Sequence, residues 1–141
     1  MRIRDYESGD QAAVADLLGE MGYPVPEALA DTLASAFIAR SGTNLLLAVR
    51  DERIVGVVAT SLVPRLDQAR LSCRVTDLVV SVPHRREGIG RALIQAAEAS
   101  ARAAGATRLD LTTGDWRAEA HPFYEALGFR DNGRALKRHL D

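Results

Sequence analysis

The sequence predicts a single α/β (α+β) domain, residues 1–141, built on a mixed, mostly antiparallel sheet with helices on both faces. Three observations lead to this fold class. Apolar segments of strand period alternate with apolar segments of helical period, with turn residues between them. Two strands joined by a tight polar turn predict an antiparallel hairpin, and a later strand–helix–strand succession predicts a parallel crossover. The length of 141 residues fits one domain.

The first third of the chain predicts one strand and two helices. A short strand surrounds Ile3, between charged neighbours. The apolar residues from Ala13 to Leu18 recur at helical spacing, and this helix ends near Gly22. The second helix ends before Gly42. Three of its apolar residues share the face that we expect to be buried, namely Leu29, Leu33 and Phe37.

The middle of the chain changes to strand period. Residues 44–49 and 54–62 predict a hairpin around a polar turn. Residues 71–82 predict a long strand, which is interrupted by Asp77 and ended by Pro83. Residues 88–104 predict a helix that ends at Gly105.

The last part predicts a strand, a short helix and a final strand. Residues 107–113 alternate leucine with polar residues, residues 118–127 have helical spacing before Gly128, and residues 129–140 can supply a last strand or hairpin. The predicted element order is therefore β-α-α-β-β-β-α-β-α-β.

The composition excludes several classes of protein. A formal net charge of −1 excludes a strongly basic protein held to nucleic acid by bulk charge. The single cysteine cannot form an intrachain disulfide, and the first residues lack the apolar stretch of a signal peptide, so we expect a cytoplasmic protein. One thiol and three histidines give no spacing typical of a metal site, so no metal is expected. No apolar run approaches the about 18 residues that span a membrane.

A basic, glycine-containing turn, residues 83–88, lies between the long strand and the helix that follows it. The pattern Arg85-x-x-Gly88-x-Gly90 begins in this turn and ends in the first residues of the helix. The first N–H groups of a helix have no partner within the helix, and with the helix dipole they attract anions, so a pyrophosphate is the natural ligand. A P-loop lysine is absent, and Leu93 replaces the third glycine of the dinucleotide-binding fingerprint.

A second segment, residues 120–129, reads Ala-His-Pro-Phe-Tyr-Glu-Ala-Leu-Gly-Phe. It is similar to the Ala-x-x-Phe-Tyr-x-x-x-Gly-Phe signature of the GNAT superfamily of N-acetyltransferases, whose coenzyme motif the basic turn also resembles. The separation of the two segments and the element order match as well, so the resemblance covers about the whole chain. The two motifs together are specific for the superfamily and not for a substrate.

The resemblance implies direct transfer of an acetyl group from acetyl-CoA, as co-substrate, to an amine, without an acyl-enzyme. The pantetheine arm would pair with the end of the long strand, and the amides of the basic turn would hold the pyrophosphate. A backbone N–H near Val79 or Val80 would polarise the thioester carbonyl. Tyr124 would protonate the departing thiolate, since a phenol is protonated at neutral pH. The implied coenzyme contacts are Leu78, Val79, Val80, Val82, Arg85, Arg86, Glu87, Gly88, Ile89, Gly90 and Arg91.

Asp77 is a charged residue in a mostly apolar part of the long predicted strand. Strict alternation puts it on one strand face with Cys73, Val75 and Val79. A carboxylate on a buried strand is costly unless it is paired or functional. It would therefore serve as a base, directly or through water, or anchor the ammonium of the acceptor; the alternative is an ion pair with an arginine such as Arg74 or Arg70.

The sequence defines the binding site of the acceptor amine less well than that of the coenzyme. Tyr23, between the first two helices, and Trp116, just past the fifth strand, are candidate acceptor contacts. The acceptor would be a small-molecule amine or an exposed amino group, with an amino sugar or aminoglycoside as one alternative. A non-catalytic acetyl-CoA sensor is another alternative, against which Tyr124 argues, because a sensor does not need it. No nucleic-acid or membrane partner is expected, and a homodimer through the C-terminal strands is compatible with the resemblance.

Overall fold

The computed structural model describes residues 1–22, 24–112, 120–131, 133 and 136–140, apart from the side chains of Ala120 and His121. Within this part, the strands and helices have the following bounds. The strands are β1 (Arg2–Asp5), β2 (Thr43–Arg50), β3 (Arg53–Arg65), β4 (Arg70–Val80) and β5 (Arg108–Leu111). The helices are α1 (Gln11–Glu20), α2 (Glu27–Ile38), α3 (Ile89–Ala103) and α4 (Ala120–Ala126).

The five described strands form one sheet in the spatial order β1-β2-β3-β4-β5. Neighbours from β1 to β4 are antiparallel, and β5 is parallel to β4. The parallel pair follows from the α3 crossover, which returns the chain to the same end of the sheet. This confirms the mixed, mostly antiparallel sheet and the predicted element order as far as α4.

Apolar side chains are buried on both faces of the sheet. On one face α1 and α2 cover a core that includes Leu17, Leu47 and Val57. On the other face α3 places Ile89 and Leu93 against the sheet. Helices therefore lie on both faces, as predicted, and each face contributes hydrophobic burial to stability.

The face that α2 buries differs from the predicted one. Ala30 and Ala34 are buried, whereas Leu29 and Leu33 are 48% and 56% exposed. Phe37 is half-buried at the end of the helix. Small side chains let α2 lie close to the sheet, so the buried stripe is displaced by one residue and the prediction for Leu29 and Leu33 was wrong.

The last strand or hairpin predicted for residues 129–140 does not form among the residues that the structure describes there. Leu136 and Leu140 are 93% and 92% exposed. Between them lie the charged or polar residues 137–139, so the segment has little apolar surface to bury against a sheet edge.

A β-bulge interrupts β4 at Thr76. Ala59 of β3 pairs with Asp77 and Thr60 pairs with Val75, which leaves Thr76 as an extra residue. The side chains beyond the bulge change faces, because Val75 packs on the α3 side and Val79 packs on the α1–α2 side. The strict alternation predicted across Asp77 is therefore wrong.

The bulge also marks the point where β4 and β5 separate. β5 pairs with residues 72–75 of β4 and ends at Leu111. β4 continues to Val80, and in the described part of the chain no strand pairs with its second edge beyond Val75. The carboxyl-terminal half of β4 therefore presents main-chain donors and acceptors at an open edge.

Candidate functional site

The open edge of β4 leads directly into the basic turn. Ser81 donates its N–H to the Val55 carbonyl oxygen at 2.8 Å, so its main chain faces β3. Successive residues of an antiparallel strand turn their main-chain groups alternately toward and away from the neighbouring strand. Residues 78 and 80 therefore present their N–H and C=O groups away from β3. Val82 begins the turn that follows, and its carbonyl oxygen accepts the Arg85 N–H at 3.3 Å. Val79, which was also predicted to contact the coenzyme, turns its main chain toward β3.

Two left-handed residues shape the basic turn. Arg86 has φ +65° and Gly88 has φ +82°. A side chain in the left-handed region costs roughly 1 kcal/mol or more, so the conformation of Arg86 is strained, whereas glycine adopts it freely. Such strain persists where the surrounding structure fixes it, which is common at functional sites.

Side chains fix the strained turn from outside. The Glu87 carboxylate accepts a hydrogen bond from the Arg50 guanidinium at 2.7 Å, and the His84 Nδ1 atom lies 3.1 Å from the same oxygen. The predicted coenzyme contact of Glu87 is through its backbone amide, and its carboxylate bonds within the protein. Its role in this structure is to connect the turn to β2.

The start of α3 is a region of positive potential. Gly88 is the N-cap residue and gives no side-chain cap, and Ala92 already donates its N–H to the Gly88 carbonyl oxygen at 3.0 Å. The N–H groups of the first turn are then the donors left for a ligand. Arg85, Arg86 and Arg91 are exposed around them. Backbone donors, helix dipole and guanidinium groups together give this region the chemistry that suits an anion.

A tight contact joins α4 to this site. An added Cβ at Gly90 would lie 3.0 Å from Cζ of Phe123 and 3.7 Å from Cγ2 of Val80. Gly90 therefore provides space for the Phe123 ring, a reason for this glycine that the sequence pattern did not reveal. The contact brings the end of β4, the start of α3 and α4 together.

Tyr124 follows Phe123 and is half-buried. Its ring packs edge-on against Phe123, with centroids 5.1 Å apart, and against Phe129, with centroids 5.7 Å apart. Such pairs stabilise the orientation of a ring beyond the burial of its area. Tyr124 is thus fixed on the short helix that packs against Gly90.

Asp77 is exposed, contrary to the expectation of a buried carboxylate. Arg74 does not form the ion pair considered for it, because its guanidinium binds the Asp110 carboxylate at 3.0 Å and the Thr112 hydroxyl. Among the described residues, neither Arg74 nor Arg70 pairs with Asp77. Asp77 lies just past the bulge, where β4 leaves β5, with its carboxylate accessible to solvent.

Two predicted acceptor contacts, Tyr23 and Trp116, lie outside the described residues. A cavity of about 500 Å³ is lined by the neighbouring residues Pro24 and Val25 together with the small residues Ala15 and Gly19 of α1. Those α1 positions lie on the helix face opposite the buried Val14 and Leu17. The cavity is therefore on the outer side of α1, and none of the predicted coenzyme contacts lines it.

Cys73 is buried in the strand that carries the site. Its burial raises the pKa of the thiol, and a hydrogen bond with Thr60 offsets part of that effect. A thiol held in its neutral form is a poor nucleophile. Cys73 is therefore a core side chain in this structure.

The described residues contain neither a metal-ligand cluster nor a membrane-spanning helix. No three of their histidine, cysteine and acidic side chains gather where a metal ion could be held. None of the helices in the described ranges is both long and apolar enough to cross a membrane.

The fold and motifs match known proteins. Residues 11–129 match the sequence model of the acetyltransferase (GNAT) family. Human N-acetyltransferase 8 is 30% identical over 106 residues, which is 74% of this chain and 46% of that protein. Aminoalkylphosphonate N-acetyltransferase from Salmonella typhimurium is 35% identical over 86 residues, which is 61% of this chain and 56% of that protein. The chain thus spans about half the length of these curated relatives.

A solved structure matches over nearly the whole length of both chains. A transcriptional regulator from Bacillus halodurans C-125 superposes with a TM-score of 0.89 at 27% identity, covering 99% of each chain.

Proposed function

Because the chain belongs to the acetyltransferase (GNAT) family, we propose that it transfers an acetyl group from acetyl-CoA directly to a primary amine. One observation carries the proposal. The open edge of β4, the uncapped start of α3 and the helix bearing Tyr124 meet at Gly90. A donor with an amide-containing arm and a pyrophosphate needs an extended edge and an anion site side by side.

The residues present fit acetyl-CoA. Leu78 and Val80 lie on the open edge, where the pantetheine amides can pair as an added strand does. The Val80 carbonyl oxygen and the Val82 N–H become available where the ligand replaces the side chains of Arg85 and Glu20 that bind them. The first-turn amides of α3 suit the pyrophosphate, and nothing lies within 4 Å of where a Cβ on Gly88 would be, so a phosphate can approach the backbone there. Bound acetyl-CoA supplies the thioester that the amine attacks.

The catalytic roles follow from the proton transfers that the reaction needs. Attack requires a neutral amine. The exposed carboxylate of Asp77, at the start of the open edge, can accept the proton of the amine directly or through water. Alternatively, it can hold the ammonium before attack. Tyr124 donates a proton to the departing thiolate, which needs a neutral acid at physiological pH. The N–H of Val80 is a candidate to polarise the thioester carbonyl, because its main chain lies on the open edge.

The acceptor that we propose is a small molecule with a primary amine. The name of the Salmonella relative, which acts on aminoalkylphosphonates, favours small amines. An exposed carboxylate beside the open edge is also compatible with an amino sugar or an aminoglycoside, whose ammonium groups it would attract. The homodimer and the cytoplasmic location stay predictions from the sequence.

A non-catalytic acetyl-CoA-binding regulator is the second candidate. It is favoured by the regulator from Bacillus halodurans, which shares the fold over 99% of this chain. Tyr124 argues against it, because binding alone requires no acid next to the coenzyme.

The test is release of free CoA thiol from acetyl-CoA with a panel of primary amines that includes aminoalkylphosphonates, amino sugars and aminoglycosides. We expect amine-dependent thiol release together with measurable coenzyme binding by calorimetry. The matched control is the Tyr124→Phe variant, which keeps the ring. Coenzyme binding with no turnover on any amine would favour the regulator, and no binding at all would contradict both candidates.

A further inference from the structure

Two main-chain groups at the end of the open edge are bound by side chains of the same chain. The Val82 N–H donates to Oε2 of Glu20 at 2.9 Å. The Val80 carbonyl oxygen accepts from Nε of Arg85 at 3.2 Å. A carboxylate oxygen and a guanidinium N–H thus occupy one donor and one acceptor of the edge.

These side chains occupy the groups that an added extended chain would need. An amide offers one C=O acceptor and one N–H donor, the same pair of functions that Glu20 and Arg85 provide here. Unpaired edge groups attract other chains, and a side chain that binds them protects the edge. The edge is therefore closed by contacts that an arriving amide-containing ligand can replace.

The two contacts differ in what happens after replacement. The released Arg85 guanidinium lies in the basic turn, where a phosphate can bind it. The released Glu20 carboxylate gains only water, and while bound it places a negative charge beside an anion site. Displacing Glu20 therefore lowers the affinity of the protein for the ligand. Displacing Arg85 does not, because the guanidinium gains a phosphate in place of the carbonyl oxygen.

We propose that Glu20 is a latch that competes with the pantetheine arm of the coenzyme for the Val82 amide. This inference rests on the proposed function, since the competing ligand is acetyl-CoA. Glu20 is the last residue of α1, so its release also removes a hydrogen bond that joins the end of α1 to the residue after β4. Binding of the coenzyme is thereby coupled to the segment that leads from α1 to α2.

The experiment measures the Kd of CoA and of acetyl-CoA by calorimetry for the wild type, Glu20→Ala and Glu20→Gln. We expect Glu20→Ala to bind about 3- to 10-fold more tightly, since one competing hydrogen bond is removed. Glu20→Gln should fall between the wild type and Glu20→Ala, because its amide oxygen is a weaker acceptor without charge. Glu27→Ala is the matched control: it removes an exposed carboxylate near the start of α2 and should leave the Kd within about 2-fold.

A second readout needs no coenzyme. Hydrogen exchange at the Val82 amide, followed by NMR, should be slower in the wild type than in Glu20→Ala, while the Ser81 amide stays equally protected in both. Unchanged or weaker coenzyme binding by Glu20→Ala, or equal exchange at Val82, would overturn the latch. If the wild type and all variants fail to bind CoA while the Val82 exchange differs as expected, the proposed function fails and the contact itself stands.

Discussion

Phe123 of α4 lies so close to Gly90 of α3 that a Cβ added at position 90 would be 3.0 Å from its Cζ atom. This distance is shorter than a normal carbon–carbon contact, so even alanine cannot enter without moving the ring. The glycine of the basic motif thus has two functions in our proposal: it leaves the amide of the α3 start accessible, and it lets α4 approach.

The first prediction tests that contact. Gly90→Ala should destabilise the fold by about 1 kcal/mol, because overpacking against Phe123 exceeds the gain from the higher helix propensity of alanine, and should lower turnover because α4 carries Tyr124. Urea unfolding and steady-state kinetics measure the two effects. The double variant with Phe123→Leu should recover part of the lost stability, because the shorter side chain makes room.

Gly88→Ala is the comparison for this prediction. Nothing lies within 4 Å of an added Cβ at Gly88, but φ is +82°. Its cost should be about 1 kcal/mol from backbone strain, and Phe123→Leu should not relieve it. Equal rescue of both glycine variants would contradict a specific contact between Gly90 and Phe123.

The second prediction concerns Tyr124. Tyr124→Phe should lower kcat by about 100-fold or more while the KM for acetyl-CoA stays within a few-fold, since the hydroxyl acts on the leaving thiolate and the ring keeps its packing. Steady-state kinetics with an acceptor from the amine panel measures both constants. Tyr6→Phe is a matched control, because the Tyr6 hydroxyl bonds Asp31, 3.4 Å away on α2. If both variants lose the same turnover, the general-acid role of Tyr124 is wrong.

Local sequence patterns predicted the elements that depend on local chemistry. Glycine, proline and charged residues indicated the basic turn, the start of α3 and the hairpin of β2 and β3. The structure has these elements where the patterns predict them. The contact of Phe123 with Gly90 was not predictable in this way. It joins two helices that are far apart in sequence, and only the packed fold brings them together.

The bulge at Thr76 shows a second limit of sequence patterns. The residue types around Thr76 do not predict the bulge, because a bulge is defined by how a strand pairs with its neighbour. Its consequence is large, since it changes the face of every side chain that follows and leaves Asp77 exposed. The same reasoning applies to α2, where Leu29 and Leu33 fit a buried stripe as well as Ala30 and Ala34 do, and the close approach of the sheet decides between them.

The third prediction addresses Asp77. Asp77→Asn should lower kcat/KM across its pH profile, because the carboxylate that accepts a proton or holds the ammonium is replaced by a neutral amide. The profile should be recorded between pH 5 and pH 9 with a single amine. Asp67→Asn, which changes an exposed carboxylate between β3 and β4, should leave the profile as in the wild type. An unchanged kcat/KM in Asp77→Asn would remove Asp77 from the mechanism.

The last prediction concerns the ion pair of Asp10 and Arg4, which connects β1 to the start of α1. The Asp10 carboxylate accepts two hydrogen bonds from the Arg4 guanidinium, at 2.8 Å and 3.0 Å, and one from the Glu7 N–H at 2.8 Å. These bonds, those of Arg4 above all, lower the pKa of Asp10 below its ordinary value. A carboxyl group whose pKa is lower in the folded state stabilises the fold above its unfolded pKa of about 3.9, and this stabilisation is lost as the pH falls through the folded pKa.

Asp10→Asn should therefore reduce the free energy of unfolding by about 1–2 kcal/mol at pH 7, and the difference from the wild type should shrink as the pH falls below about 4. Urea unfolding at a series of pH values from 7 to 3 measures it. Glu7→Gln is the control, because its carboxylate lies 4.0 Å from the same guanidinium and is 75% exposed, so its effect should be small at every pH. A difference for Asp10→Asn that stays constant down to pH 3 would show that lost packing, and not the charged pair, destabilises the variant.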